Sequence, residues 1–80
     1  MGMIAYLTGR PELVQDQLII HVGGVGYGVQ VSNRVFQTAA NQDEISLHIY
    51  SHVREDRFEL YGFPNHQELE LFQLVIGVSG

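Results

Sequence analysis

Three groups of residues in this 80-residue chain have types and spacings that could do chemistry. His48 and His52 stand four apart, the separation that puts two imidazoles on one face of a helix for a metal ion. Gly23, Gly24, Gly26 and Gly28 crowd one stretch, as glycines do in loops that cradle phosphate. Arg54-Glu55-Asp56-Arg57 sets two adjacent carboxylates between two guanidiniums, which could serve acid–base chemistry or contact with a charged ligand. The four serines, Ser32, Ser46, Ser51 and Ser79, lack the local motif of an activated nucleophile.

The first two groups fail once the elements that carry them are considered. Around His48 and His52 apolar and polar residues alternate, so the segment from Glu44 to Val53 reads as a strand. Leu47, Ile49, Ser51 and Val53 lie on one side of it, and His48, Tyr50, His52 and Arg54 on the other. On a strand the two histidines are about 13 Å apart, too far to share one ion at about 2 Å, and no cysteine is present to complete a site. No metal site and no cofactor are expected. The glycines do not fit G-x-G-x-x-G, and the chain has no lysine for a Walker-type loop. Gly23-Gly24 instead supplies the turn of a hairpin between Leu18–Val22 and Val25–Val31. Gly26 and Gly28 leave one face of the second strand bare, which implies a close neighbour or a bend. His21 and His66 are isolated and suggest nothing.

The remaining elements follow from the same patterning. Residues 3–9 and about 12–15 read as an earlier strand pair around Arg10-Pro11, and residues 33–41 as a loop or a single helical turn. Arg54-Glu55-Asp56-Arg57 then joins the long strand to Phe58–Phe63 as a second hairpin with a wholly charged tip. Pro64-Asn65 ends the strands. Asn65 with Glu68 forms a capping box that opens a helix bearing Leu69, Leu71, Phe72, Leu74, Val75 and Ile76. That stripe is wider than one small barrel needs, so part of it is expected to meet another subunit or more of the protein. The fold class is mainly β: a small OB-type antiparallel β-barrel of five or six strands, followed by one C-terminal α-helix. Residues 1–64 form the barrel domain, and 65–80 begin a helical second domain. The ending Gly77-Val78-Ser79-Gly80 leaves a glycine-rich turn half written, so a longer chain is expected.

At the tip, Glu55 and Asp56 occupy the most exposed position a strand pair offers. A solvated tip does not separate two pKa values as acid–base catalysis requires, so no catalytic residue is expected. Turns favour Gly, Asn, Asp, Ser or Pro, and only Asp56 belongs to that set, which points to selection for charge. Yet the composition argues against simple nucleic-acid affinity. Four arginines face 9 acidic residues for a net charge of −5, whereas non-specific binding to nucleic acid comes from cations that release counterions. With 45% hydrophobic and 16% charged residues, no membrane-length apolar run and no signal peptide, a cytoplasmic domain is expected.

Taken together, Val22-Gly23-Gly24-Val25-Gly26-Tyr27, Val53-Arg54-Glu55-Asp56, Leu60-Tyr61-Gly62-Phe63, Leu71-Phe72 and Gly77-Val78-Ser79-Gly80 resemble the amino-terminal part of the RuvA family of bacterial Holliday-junction-binding proteins. The resemblance runs from about Met3 to Gly80, with Met1-Gly2 preceding the family's usual start. It implies an OB-type domain I, a domain II of helix-hairpin-helix motifs whose backbone amides contact phosphates, and a domain III that engages the RuvB motor. Four subunits would surround the junction as a homotetramer, with RuvC as a further candidate partner and no membrane. The chain would then be a non-catalytic subunit in recombination and DNA repair, the ATP-dependent helicase activity belonging to the complex with RuvB. By resemblance Glu55 and Asp56 are an acidic pin at the crossover, and a repulsive element explains why so acidic a domain serves a DNA-binding protein. Arg54 and Arg57 either hold phosphates or pair with the pin. Two other readings stay open: a generic OB-type module stacking single-stranded bases on Tyr50 or Tyr6, and an oligomerisation unit using the helix stripe.

Overall fold

The computed structural model of the protein describes residues 4–77. The Met1-Gly2 pair, the expected strand start at Met3 and Val78-Ser79-Gly80 of the closing motif lie outside the described residues. The elements are β1 (Tyr6–Val14), β2 (Gln17–Val22), β3 (Val25–Val29), α1 (Asn33–Ala39), β4 (Ile45–Val53), β5 (Phe58–Phe63) and α2 (His66–Val75). The strands form one antiparallel sheet in the order β3-β2-β1-β4-β5. The architecture is mainly β, a curled half-barrel followed by a C-terminal helix, consistent with an OB-fold.

The curl originates in β1. Its first half pairs with β4, from Tyr6 with His48 to Gly9 with Ile45, and its second half pairs with β2, from Arg10 with His21 to Val14 with Gln17. The handover falls at Gly9. A Cβ there would collide with the His21 carbonyl oxygen, so only glycine lets β1 pass this close to β2. β1 thus runs unbroken over Tyr6–Val14, through Arg10-Pro11, where a pair of strands is expected. Pro11 is tolerated because the pairing with β4 has ended at Gly9, leaving one edge of β1 without a partner that needs a donor. The hairpin turn lies further on, at Gln15-Asp16, with Gln15 in the left-handed region at φ 58°.

The β2–β3 hairpin forms as expected, with Gly23 and Gly24 at φ 56° and 87°. The bare face at Gly26 and Gly28 is filled by Ile19 and Gln17 from the adjacent strand. Residues 33–39 make a two-turn helix where a loop or single turn is expected. Ser32 caps it by accepting from the Val35 amide, and Val35 and Ala39, four apart, enter the core. A helix this short is held by that burial more than by propensity.

The core inside the curl consists of Leu7, Leu18, Ile20, Val29, Val35, Ala39, Ile45, Leu47, Ile49 and Leu60. Closure is local. Gln30 donates its amide to the Leu60 carbonyl and accepts from the Gly62 amide, both at 2.8 Å, a short parallel bridge between the end of β3 and β5. On the outer face α2 lies against β4 and β5. Its cap is the expected Asn65 side chain, which accepts from the Glu68 amide at 2.9 Å. Arg34 of α1 grips the Glu68 carboxylate with two hydrogen bonds, at 2.9 and 3.2 Å. Among the described residues no helix is long and apolar enough to cross a membrane.

Candidate functional site

The β4–β5 hairpin carries the charged tip. Register runs from His48 opposite Phe63 to Val53 opposite Phe58, and a four-residue loop is closed by the Arg54 amide donating to the Arg57 carbonyl at 2.7 Å. Arg54, Glu55, Asp56 and Arg57 are all exposed. The two arginines do not turn to the two carboxylates. Arg54 Nε donates to His52 Nε2 at 2.8 Å, and Arg57 Nη2 pairs with Glu59 Oε2 at 2.9 Å. Among the described residues no ion pair or side-chain hydrogen bond engages Glu55 or Asp56. Two neighbouring negative charges therefore point into solvent without a counter-charge in contact.

Glu59 organises the base of the tip, a role that reading by residue type misses. One carboxylate oxygen accepts from Arg57 and the other from the Tyr61 hydroxyl at 3.0 Å. Burial, then the hydrogen bond to Glu59 and that carboxylate's charge, hold the Tyr61 phenol above its ordinary value, with Arg54 and Arg57 pulling the other way. The available signal was the spacing: on a strand Arg57, Glu59 and Tyr61 fall on one side.

Behind the tip, the outer face of the hairpin is aromatic. Phe72 of α2 sits with its ring centroid 5.6 Å from Tyr50, 5.4 Å from Tyr61 and 5.0 Å from Phe63. Tyr50 is half-buried among these rings, whereas Tyr6 is 53% exposed. His48 packs edge-on between Tyr6 and His66, and among the described residues no group of three potential ligands could hold a metal ion. On α2, Leu69 is buried and Phe72 half-buried, while Leu71, Leu74, Val75 and Ile76 stay exposed. An open groove of about 570 Å³ between the β1–β2 turn and α1 has Asp16 as its one ionisable lining residue and carries no catalytic set.

Comparison with known proteins places this arrangement. A family model described as "RuvA N terminal domain" matches residues 3–62. Proteins named "Holliday junction branch migration complex subunit RuvA" are similar along almost all of the chain. The one from Pelobacter propionicus is 43% identical over 79 residues, covering 98% of this chain and 40% of the relative. Those from Geotalea daltonii and Ehrlichia ruminantium are 44% and 39% identical over 80 residues, covering 98% of this chain and 40% and 42% of the relatives. The chain thus spans about two fifths of the length of these relatives.

Proposed function

We infer, from the premise that this chain belongs to the RuvA N-terminal domain family, that it is the barrel domain of a Holliday-junction recognition subunit. Residues 1–64 serve as domain I, and residues 65–80 open the helical domain II. The subunit acts in the cytoplasm, in recombination and repair, as a homotetramer on the junction. It is non-catalytic itself and works with the RuvB motor, with RuvC as a further partner. Its contribution here is geometric: four β4–β5 hairpins bring Glu55 and Asp56 to the crossover, where they repel the backbones and keep the strands apart.

The observation that carries this reading is the pair of exposed carboxylates at a hairpin tip whose own arginines are turned to His52 and Glu59. A carboxylate 6 Å from a phosphate is repelled by roughly 0.7 kcal/mol in bulk water, and by several-fold more at an effective dielectric of 20. Eight such charges in a tetramer are enough to bias where phosphates settle. Affinity then comes from elsewhere in the subunit, which fits the net charge of −5 in these residues.

The test is Glu55→Gln with Asp56→Asn in the full-length protein, compared with the parent on a synthetic four-way junction and a linear duplex. The neutralised protein is expected to bind duplex more tightly and to lose part of its preference for the junction. Equal preference and equal strand separation in both proteins would overturn the assignment.

A further inference from the structure

The inner face of the β4–β5 hairpin continues past the core. Leu47, Ile49, Ser51 and Val53 alternate along β4, and Phe58 and Leu60 along β5, on one side of the pair. Leu47, Ile49 and Leu60 are buried, but Val53 is 59% and Phe58 54% exposed. The two are direct cross-strand partners, one step below the charged loop. A phenyl ring and an isopropyl group therefore form an uncovered apolar step beneath two unneutralised carboxylates, with Arg54 and Arg57 flanking them.

We propose that Val53 and Phe58 form a stacking step that receives an unpaired nucleobase displaced at the junction crossover, Phe58 supplying the ring. This rests on the junction-binding reading above and adds the base as the ligand of that same hairpin. The surface suits a base better than a phosphate or a protein. Glu55 and Asp56 repel phosphate from the tip, whereas the face of a base is uncharged and gains from contact with an aromatic ring. A paired base inside a duplex has both faces covered by its neighbours, so only an unpaired one has a face to offer. Two side chains are also far smaller than the roughly 800 Å² per partner of a standard protein interface. The guanidiniums of Arg54 and Arg57 are held to His52 and Glu59 on the opposite face of the hairpin, so the step itself is apolar and matches the uncharged face of a base.

Phe58→Ala in the full-length protein is expected to weaken binding to a four-way junction by roughly 5- to 100-fold, the loss typical of one stacked base, and to leave binding to linear duplex unchanged. Phe58→Leu, apolar but not aromatic, should recover only part of the loss. Phe58→Trp should recover it, and the introduced indole, read as the difference from the parent's emission, should be quenched by the junction and not by duplex. Junction preference retained in the parent together with full-strength binding by Phe58→Ala would overturn the stacking step alone. An indole emission already blue-shifted without DNA, and unmoved by it, would likewise overturn it and assign the step to a protein contact. A parent with no preference for junctions would sink the functional reading and this inference with it.

Discussion

Gln15 shows how much a single backbone angle can cost. It occupies the left-handed region at φ 58° with a full side chain, a conformation that costs L-residues roughly 1–2 kcal/mol and glycine little. Gln15→Gly is expected to raise the urea unfolding free energy by about 0.5–1 kcal/mol, part of the relief being offset by the greater freedom of glycine in the unfolded chain; a loss of stability would refute the strain. Tyr61 offers a pH test. The folded protein holds its proton more tightly than the unfolded chain, so the contribution is complete below about pH 10 and fades as pH rises through the raised value. Tyr61→Phe should cost on the order of 1 kcal/mol at neutral pH, for the lost hydrogen bond to Glu59, and should show a shallower fall in stability above pH 10 than the parent. At this scale the sequence was readable where a residue acts on its own neighbours: Gly23-Gly24 as a turn, Asn65 with Glu68 as a cap. Gly9 was not readable, because the carbonyl that forbids a Cβ there belongs to His21, twelve positions away.

Elements whose periodicity is local were legible, and those completed by partners were not. The β2–β3 and β4–β5 hairpins and α2 follow from alternation, turn residues and the capping box. In the sequence Arg10-Pro11 looks like a turn that divides β1, and only the change of partner from β4 to β2 lets a proline sit inside the strand. The polar residues of α1 obscure in the sequence the Val35 and Ala39 pair that reaches the core. The seating of α2 depends on Phe72 within the cluster of Tyr50, Tyr61 and Phe63. Phe72→Ala should cost about 2–3 kcal/mol, below the value for a fully buried phenylalanine because the ring is half-buried. It should also lower the helical signal in far-ultraviolet circular dichroism; an unchanged signal and midpoint would show that α2 is held otherwise.

For the whole molecule, the curl is finished at one point, where Gln30 bridges to Leu60 and Gly62. A Cβ on Gly62 would lie 2.8 Å from both Leu47 Cδ1 and Val29 Cγ1. Gly62→Ala is therefore expected to destabilise the domain by about 1–3 kcal/mol through overpacking, measured by thermal or urea unfolding, and no change would mean the closure is slack. This bridge joins residues 30 to 32 positions apart, and strand patterning alone points only to a barrel, without saying where it shuts. The charged tip was legible as an exposed bend, but the turning of Arg54 to His52 and Arg57 to Glu59 required the packed hairpin. That turning leaves the acidic pair free to repel, and repulsion between exposed charges is screened by salt within about 10 Å at 0.1 M. The most direct measurement is the ratio of duplex affinities of the Glu55→Gln, Asp56→Asn protein and its parent, followed from about 50 mM to 500 mM salt. The ratio should exceed one at low salt and fall toward one as salt rises; a ratio below one, or one indifferent to salt, would contradict action by repulsion.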